Sequence, residues 1–529
     1  MNLLDRREFL EITALAGAGL MTAGTAEAKP AVKDFDLAEK TIAELQAEMK
    51  SGRLSSAEIT HKYLDRIKDV DKQTNSIIEV NPDALQIAER LDRERKDGKV
   101  RGPLHGIPVV LKDNIDTADK MKTTAGSLAL LNAPTPIRDA FLVEQLRNAG
   151  AVILAKTNLS EWANFRSTSS SSGWSGRGGQ TRNPYILDRN PCGSSSGTGA
   201  AVAANLTAVG IGTETDGSIV CPSSICGLVG IKPTVGLVSR SGIIPISHTQ
   251  DTAGPMTRTV EDAAIMLDVL DVADPRDAAT TAGKRRERVS YTTALRQDGL
   301  KGAKIGVARD FWGRNAVVDK VINEALEVLK NAGATLIDVK FPTIRKFDDA
   351  ETEVLQFEFR TDLERYLRER NAEHKTLAEL IQFNQDNAAR EMPIFKQEIF
   401  EACAKKGPLT TRAYQLALKN CGLLTRTRGI DAVMDKNRLD AVVAPANAPT
   451  WMIDLVNGDC GSGYVGSSSL PAVAGYPNIT VPAGLARELP IGISFFGRAW
   501  SEHVLIKLAY AFEQATKARR MPKFLQTAV

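Results

Sequence analysis

A Ser-Gly-rich block, Cys192-Gly193-Ser194-Ser195-Ser196-Gly197-Thr198-Gly199, is followed by Thr213-Glu214-Thr215-Asp216-Gly217-Ser218. Ser194 and Ser218 thus stand beside glycines, 24 positions apart. A serine hydroxyl is a poor nucleophile until a base, or a relay leading to one, removes its proton. The five histidines, His61, His105, His248, His374 and His503, are scattered and none lies in a Ser-Gly turn. Lys112 instead follows the apolar run from Ile107 to Leu111. A lysine ending a buried strand is poorly solvated, which disfavours its charged form and lowers its pKa toward the operating pH. These residue types suit nucleophilic attack by serine with Lys112 as base. Gly217 permits a tight turn in which the N–H groups of Thr215, Asp216, Gly217 and Ser218 converge, the layout of an oxyanion hole.

The segments around these residues carry a resemblance. They are Gly102 to Val109 with Lys112 to Asp116, Lys156 to Trp162, the Ser-Gly block, Gly227 to Thr234, Gly242 to Ser247 through Asp251 to Pro255, and Leu470 to Pro482. Over most of the chain they resemble the amidase signature family of serine hydrolases. The resemblance implies Ser218 as nucleophile, Ser194 as a bridging serine on an unusual cis peptide bond, and Lys112 as general base. It implies no cofactor and no metal. Neutral Lys112 would take a proton from Ser194, and Ser194 one from Ser218, while Ser218 attacks the amide carbonyl; the reversed relay would protonate the departing amine. Asp216 and Val220 stand where many relatives carry glycine and arginine, and Cys192 where glycine is frequent. With Trp162 to Arg166 and Gly173 to Pro184, these features look closest to the peptide amidase branch, which deamidates C-terminal peptide amides.

Other nucleophile patterns fail on their context. Gly193-Ser194-Ser195-Ser196-Gly197 matches the G-x-S-x-G elbow, but that motif needs a strand directly before it. Asn183 to Pro191 is polar and holds two prolines. No S-x-x-K pairing occurs, which removes the penicillin-binding type of Ser-Lys hydrolase. An aryl acylamidase or esterase would use the same residues, and a partner-dependent amidotransferase-like subunit or a non-catalytic scaffold are further alternatives. Intact Lys112, Ser194 and Ser218 oppose the scaffold.

The elements that must position these groups read as an α/β fold. The resemblance implies a central mixed β-sheet flanked by helices on both faces. Leu37 to Lys50 and Ser56 to Val70 are amphipathic, Ser55-Ser56 before Glu58 supplying an N-cap. Ala140 to Ala149 is helical and Ala151 to Ala155 a buried strand. Lys304 to Ala308, Val317 to Asn331 and Thr335 to Val339 form a strand-helix-strand unit. Residues 304–430 are expected to hold a smaller lobe or helical insertion, with Asp348 to Thr427 shaping one wall of the pocket. Strands return at Asp440 to Pro445 and Ile491 to Phe496, before a closing helix from Glu502 to Ala515.

The N-terminus reads as a twin-arginine export signal: Arg6-Arg7-Glu8-Phe9-Leu10, a weakly apolar stretch from Ile12 to Thr22, and Ala26-Glu27-Ala28 for cleavage. Residues 1–28 are thus the signal and residues 29–529 the amidase domain, placed in the periplasm or outside the cell. This location opposes the amidotransferase, because tRNA-dependent amidation is cytoplasmic. Removing the signal leaves a small positive excess from a formal net charge of +3, too mild to indicate nucleic acid. The apolar stretch is too short to span a bilayer, so no stable membrane association is expected. Six cysteines among 529 residues are not a disulfide scaffold. Cys221 and Cys226 are the pair nearest in sequence, too loosely spaced for a metal site, and their pairing stays open. The partner expected is a small amide or peptide-amide substrate.

Overall fold

The buried strands of this chain are short apolar runs, and they are brought together in one sheet. The computed structural model describes residues 34–281, 289–459 and 465–528. The proposed signal and the basic cluster from Lys284 to Arg288 lie outside them. Strands β1 (Ile77–Val80), β2 (Pro108–Lys112) and β3 (Val152–Thr157) precede a small hairpin, β4 (Trp174–Ser175) and β5 (Gly179–Gln180). They are followed by β6 (Val209–Glu214), β7 (Val229–Lys232), β8 (Thr252–Thr257), β9 (Lys304–Ala308) and β10 (Thr335–Val339). β11 (Ala441–Pro445), β12 (Asn478–Ala486) and β13 (Leu489–Phe496) complete the set. Eleven strands form the sheet β1-β3-β2-β6-β8-β7-β12-β13-β11-β9-β10, with helices flanking it.

The sheet is mixed. β2 runs parallel to both β3 and β6, and its five residues are all buried. Parallel strands covered on both faces read as unbroken apolar runs, as Val109 to Leu111 does. The register Leu111↔Ile211 carries Lys112 to the carboxyl edge beside Thr213. That edge is where open α/β sheets bind ligands.

Helices α1 (Ile42–Ser51) and α2 (Ser56–Thr74) begin with capping boxes, Thr41 with Glu44 and Ser55 with Glu58. The apolar pattern from Leu37 therefore does not set the first helix start; the Thr41 cap does. α3 (Phe141–Asn148) leads into β3. α4 (Ser196–Ala203) is buried throughout, and α5 (Val220–Ile225) follows the Ser218 turn. The small residues of α4 allow its close approach: a Cβ on Gly197 would collide with backbone atoms of Asn158.

The strand-helix-strand unit of β9, α6 (Ala316–Asn331) and β10 supplies the far edge of this same sheet, β9 pairing in parallel with β10 and β11. The described residues from Asp36 onward form one compact unit. Beyond β10, α7 (Asp348–Glu369) and α8 (Arg412–Gly422) belong to the helical segment. α7 packs Phe359, Leu363 and Leu367 against Trp162 and Phe400. Burying each such side chain stabilises by about 2 kcal/mol. The chain closes with α9 (Glu502–Thr516). No helix among the described residues is long and apolar enough to cross a membrane.

Candidate active site

Lys112 ends β2 with 0 % exposure. Its Nζ lies 2.7 Å from Ser194 Oγ, 2.8 Å from Thr213 Oγ1 and 3.2 Å from Thr213 O. Burial pulls the lysine down to about 7, only partly opposed by the charges of Asp251 and Glu214. A neutral amine has two N–H donors and one lone pair. Thr213 O must be an acceptor, and Thr213 Oγ1 offers a second. The lone pair is then left for the Ser194 hydroxyl, the geometry a proton acceptor needs. Asn114 Nδ2 donates to Thr213 Oγ1 at 3.0 Å and holds that hydroxyl in place.

Ser194 follows a cis peptide bond from Gly193, as the family resemblance implied. Its carbonyl accepts from Ser160 N at 3.1 Å, and a Cβ on Gly193 would collide with Ser160 Oγ. Ser195 N donates to Ser218 O at 3.2 Å, which ties the two serine turns together. Ser218 is 8 % exposed. No hydrogen bond joins Ser218 Oγ to Ser194 Oγ among the described residues; such catalytic contacts are often long before substrate binds.

Thr215 to Ser218 form the turn between β6 and α5, with Gly217 at φ 79°. Their backbone N–H groups have no hydrogen-bond acceptor among the described residues, so they are available to an incoming oxyanion. The residues after them are held differently. Glu214 Oε2 accepts from Ile219 N and Val220 N at 2.7 and 3.0 Å, capping α5 from beneath. Thr215 is anchored twice: its Oγ1 donates to Asp251 Oδ1 at 2.6 Å, and its carbonyl accepts from Gln250 Nε2 at 3.3 Å. Burial raises the pKa of Asp251 to about 6, offset in part by Thr215 and by the N–H groups of Ser247 and Ile246.

The structure thus brings Lys112, Ser194 and the Ser218 turn into one place. Thr213, Glu214, Gln250 and Asp251 belong there too, although no role at the site was assigned to them from the sequence. Thr213 and Glu214 sit at the end of an apolar strand, and the strand register that aims them at Lys112 is a signal only once β2 and β6 are paired.

The cysteines resolve the open pairing. Cys192 and Cys221 form a disulfide spanning 29 positions, while Cys226 is free and buried. The pair nearest in sequence lies on the α5 segment, where residues five apart point about 140° away from each other. Cys192, Cys221, Gly193, Asp216, Gly217 and Trp451 line a cavity of about 410 Å³. A second cavity of about 660 Å³, floored by Asn114 and Thr213, lies against Thr215 and His248. Ala163 lines the second and Asn164 the first. These two follow Trp162 in a run of three non-glycine residues with φ of 50°, 54° and 71°, a conformation that the surrounding packing must enforce.

A mixed sheet that sets a buried lysine of near-neutral pKa against a pair of serine turns is the architecture of an amide hydrolase. Comparison with known proteins agrees. The amidase family model matches residues 58–506. A probable amidase of Arabidopsis thaliana is 41% identical over 522 residues, covering 97% of this chain and 96% of that relative. Two solved structures share the fold closely. One is a peptide amidase in complex with the competitive inhibitor chymostatin, with TM-score 0.90, 49% identity, and coverage of 93% of this chain and 100% of that one. The other is the native peptide amidase from Stenotrophomonas maltophilia, with TM-score 0.88, 48% identity and the same coverage. The chain belongs to the amidase family and is an amide-hydrolysing enzyme.

Proposed function

We propose that this enzyme deamidates C-terminal peptide amides through an acyl-Ser218 intermediate, with Lys112 as base and Ser194 as relay. The observation that carries the mechanism is the 2.7 Å contact of Lys112 Nζ with Ser194 Oγ, made by a lysine held near pKa 7. Neutral Lys112 takes the Ser194 proton as Ser194 takes that of Ser218. Ser218 Oγ then bonds to the amide carbon, and the carbonyl electrons move to an oxygen held by the N–H groups of Thr215 to Ser218. Returning protons pass to the departing nitrogen, which leaves as ammonia. Water then cleaves the ester along the same relay.

Likeness to peptide amidases supports the substrate class. The cleft supports it too: Asp216 and Asp459 line the 410 Å³ cavity and no basic side chain does so among the described residues. To the extent that these aspartates are ionised, against a burial that raises the pKa of both, they repel a free C-terminal carboxylate and not a neutral carboxamide. Ammonia release from peptide amides, free amino-acid amides, anilides and esters, each with a Ser218→Ala control, tests the assignment. Ser218-dependent ammonia from peptide amides is the expected result; cleavage of anilides or esters alone would discard the substrate.

The N-terminal pattern supports export by the twin-arginine route, and a disulfide suits an oxidising compartment. Fractionation of cells carrying wild-type or Arg6→Lys/Arg7→Lys chain tests this; equal distribution of the two would refute it.

A further inference from the structure

α7 presents three buried acids on one face: Glu351, Glu358 and Asp362. Spacings of seven and eleven residues place them within about 20° of a common line. Each holds a member of the loop from Ser247 to Asp251. Glu351 Oε1 accepts from Gln250 Nε2 at 2.9 Å. Glu358 Oε2 accepts from Ser247 Oγ at 2.5 Å, Thr249 N at 3.1 Å and Thr249 Oγ1 at 3.0 Å. Asp362 Oδ2 accepts from His248 N at 3.1 Å and contacts His248 Nδ1 at 2.7 Å. The other imidazole nitrogen, Nε2, lies 3.5 Å from Glu358 Oε1. The same loop grips the catalytic turn through Gln250 and Asp251, both bonded to Thr215.

We propose that His248 is a positioning residue for amide hydrolysis: seated between Asp362 and Glu358, it fastens the loop from Ser247 to Asp251 to α7 and so fixes Thr215 and the oxyanion turn. Two buried carboxylates this close are tolerable only with a cation or shared protons between them. His248 supplies the cation. Although burial pulls its pKa down, the hydrogen bond and charge of Asp362 and the charge of Glu358 outweigh this and raise it. Other charged and titratable groups face the site from each side. Arg365 of α7 bonds Asp362 at 2.9 Å, Tyr414 of α8 donates to Glu358 Oε1 at 2.7 Å, and Arg240 donates to the His248 carbonyl while paired to Asp277. His248, Glu358 and Asp362 offer ligand atoms within 4.8 Å of one another. Tyr414, Ser247, Thr249 and Arg365 already engage the carboxylates, so the trio acts as an ion-pair clamp.

The sign follows from the raised pKa. The clamp is complete while His248 is protonated and loosens as pH rises through its folded value. The proposal rests on the Ser218 mechanism, and its test separates the two. Full-length wild type, His248→Gln, His248→Lys and Asp362→Asn are compared in kcat and KM on a peptide C-terminal amide across pH. The rate of fluorophosphonate labelling is measured alongside, because it reports serine reactivity without a peptide. The expected result is that wild-type kcat falls as pH rises through the folded value of His248. His248→Gln is expected to lower both kcat and labelling rate about tenfold, with KM changed less than about twofold. His248→Lys keeps the charge and should recover activity while losing the alkaline fall. Asp362→Asn should move that fall to lower pH. Wild type with no alkaline fall, or His248→Gln with wild-type kcat, overturns the proposal. Labelling that survives in Ser218→Ala would instead mean that the nucleophile is misassigned.

Discussion

Lys112 and His248 stand on two sides of the strand end from Thr213 to Thr215, and burial acts on them with opposite outcomes. Desolvation weakens the charged form of both. Lys112 meets two hydroxyls and a carbonyl, none of which carries charge, so its pKa falls to about 7. His248 meets two carboxylates, so its pKa rises. The first arrangement prepares a proton acceptor and the second a tie that holds while the imidazole is protonated. What distinguishes catalytic from positioning side chains here is therefore the company each keeps: Lys112 is fully buried among neutral groups, whereas His248 is half-buried between carboxylates.

The comparison breaks most visibly at Lys112. Replacement by Met should remove the base with little loss of fold, lowering kcat by about 10³-fold, a typical general-base contribution. Steady-state turnover of a peptide amide, with circular dichroism as the fold control, checks this; near wild-type turnover at neutral pH would refute the Ser-Ser-Lys relay. In wild type, kcat/KM should rise with pH through about 7 as Lys112 loses its proton. A next-largest effect is expected at Asp251, which holds the turn without touching the relay. Asp251→Asn keeps the shape but weakens the acceptor for Thr215 Oγ1, Ser247 N and Ile246 N. A fall in kcat of about 10- to 100-fold with KM nearly constant is the expected outcome.

Thr213→Val sharpens the contrast from the lysine side. Its hydroxyl favours the charged amine, so losing it should shift the acid limb of the pH profile to lower pH. It also orients the lone pair toward Ser194, so kcat should drop about tenfold at the plateau. A pH titration of the variant reads both effects at once. The smallest catalytic effect is expected at the disulfide, whose replacement by Cys192→Ser/Cys221→Ser acts mainly on stability. Closing a loop of this length is worth about 3.5 kcal/mol, read as a lower urea midpoint with a lesser change in kcat.

The two sides differed equally in how far they could be read from sequence. Lys112, Ser194, Ser218 and the turn from Thr215 are marked by local features: an apolar run, glycines beside serines, and small residues between them. Strands and helices such as β9, β10 and α9 were legible for the same reason. The His248 clamp was not, because its partners lie more than a hundred positions away on α7, a helix whose charged pattern resembles a solvated surface. The helical segment was expected to shape a pocket wall; what the fold gives its acids is a grip on the loop that holds Thr215. Thr41 moved the first helix start because a capping hydrogen bond, rather than hydrophobicity, decides where a helix begins.

The sulfur bridge between Cys192 and Cys221 encloses Ser194, α4, β6 and Ser218 in one covalent ring. A single cut in the chain anywhere between the two serines would open that ring without parting them, because the bridge still holds one end to the other. Each catalytic segment thus remains attached to its counterpart after a nick that would separate them in a linear chain. In surroundings rich in peptidases, the hydrolytic centre is protected by its topology as well as by its burial.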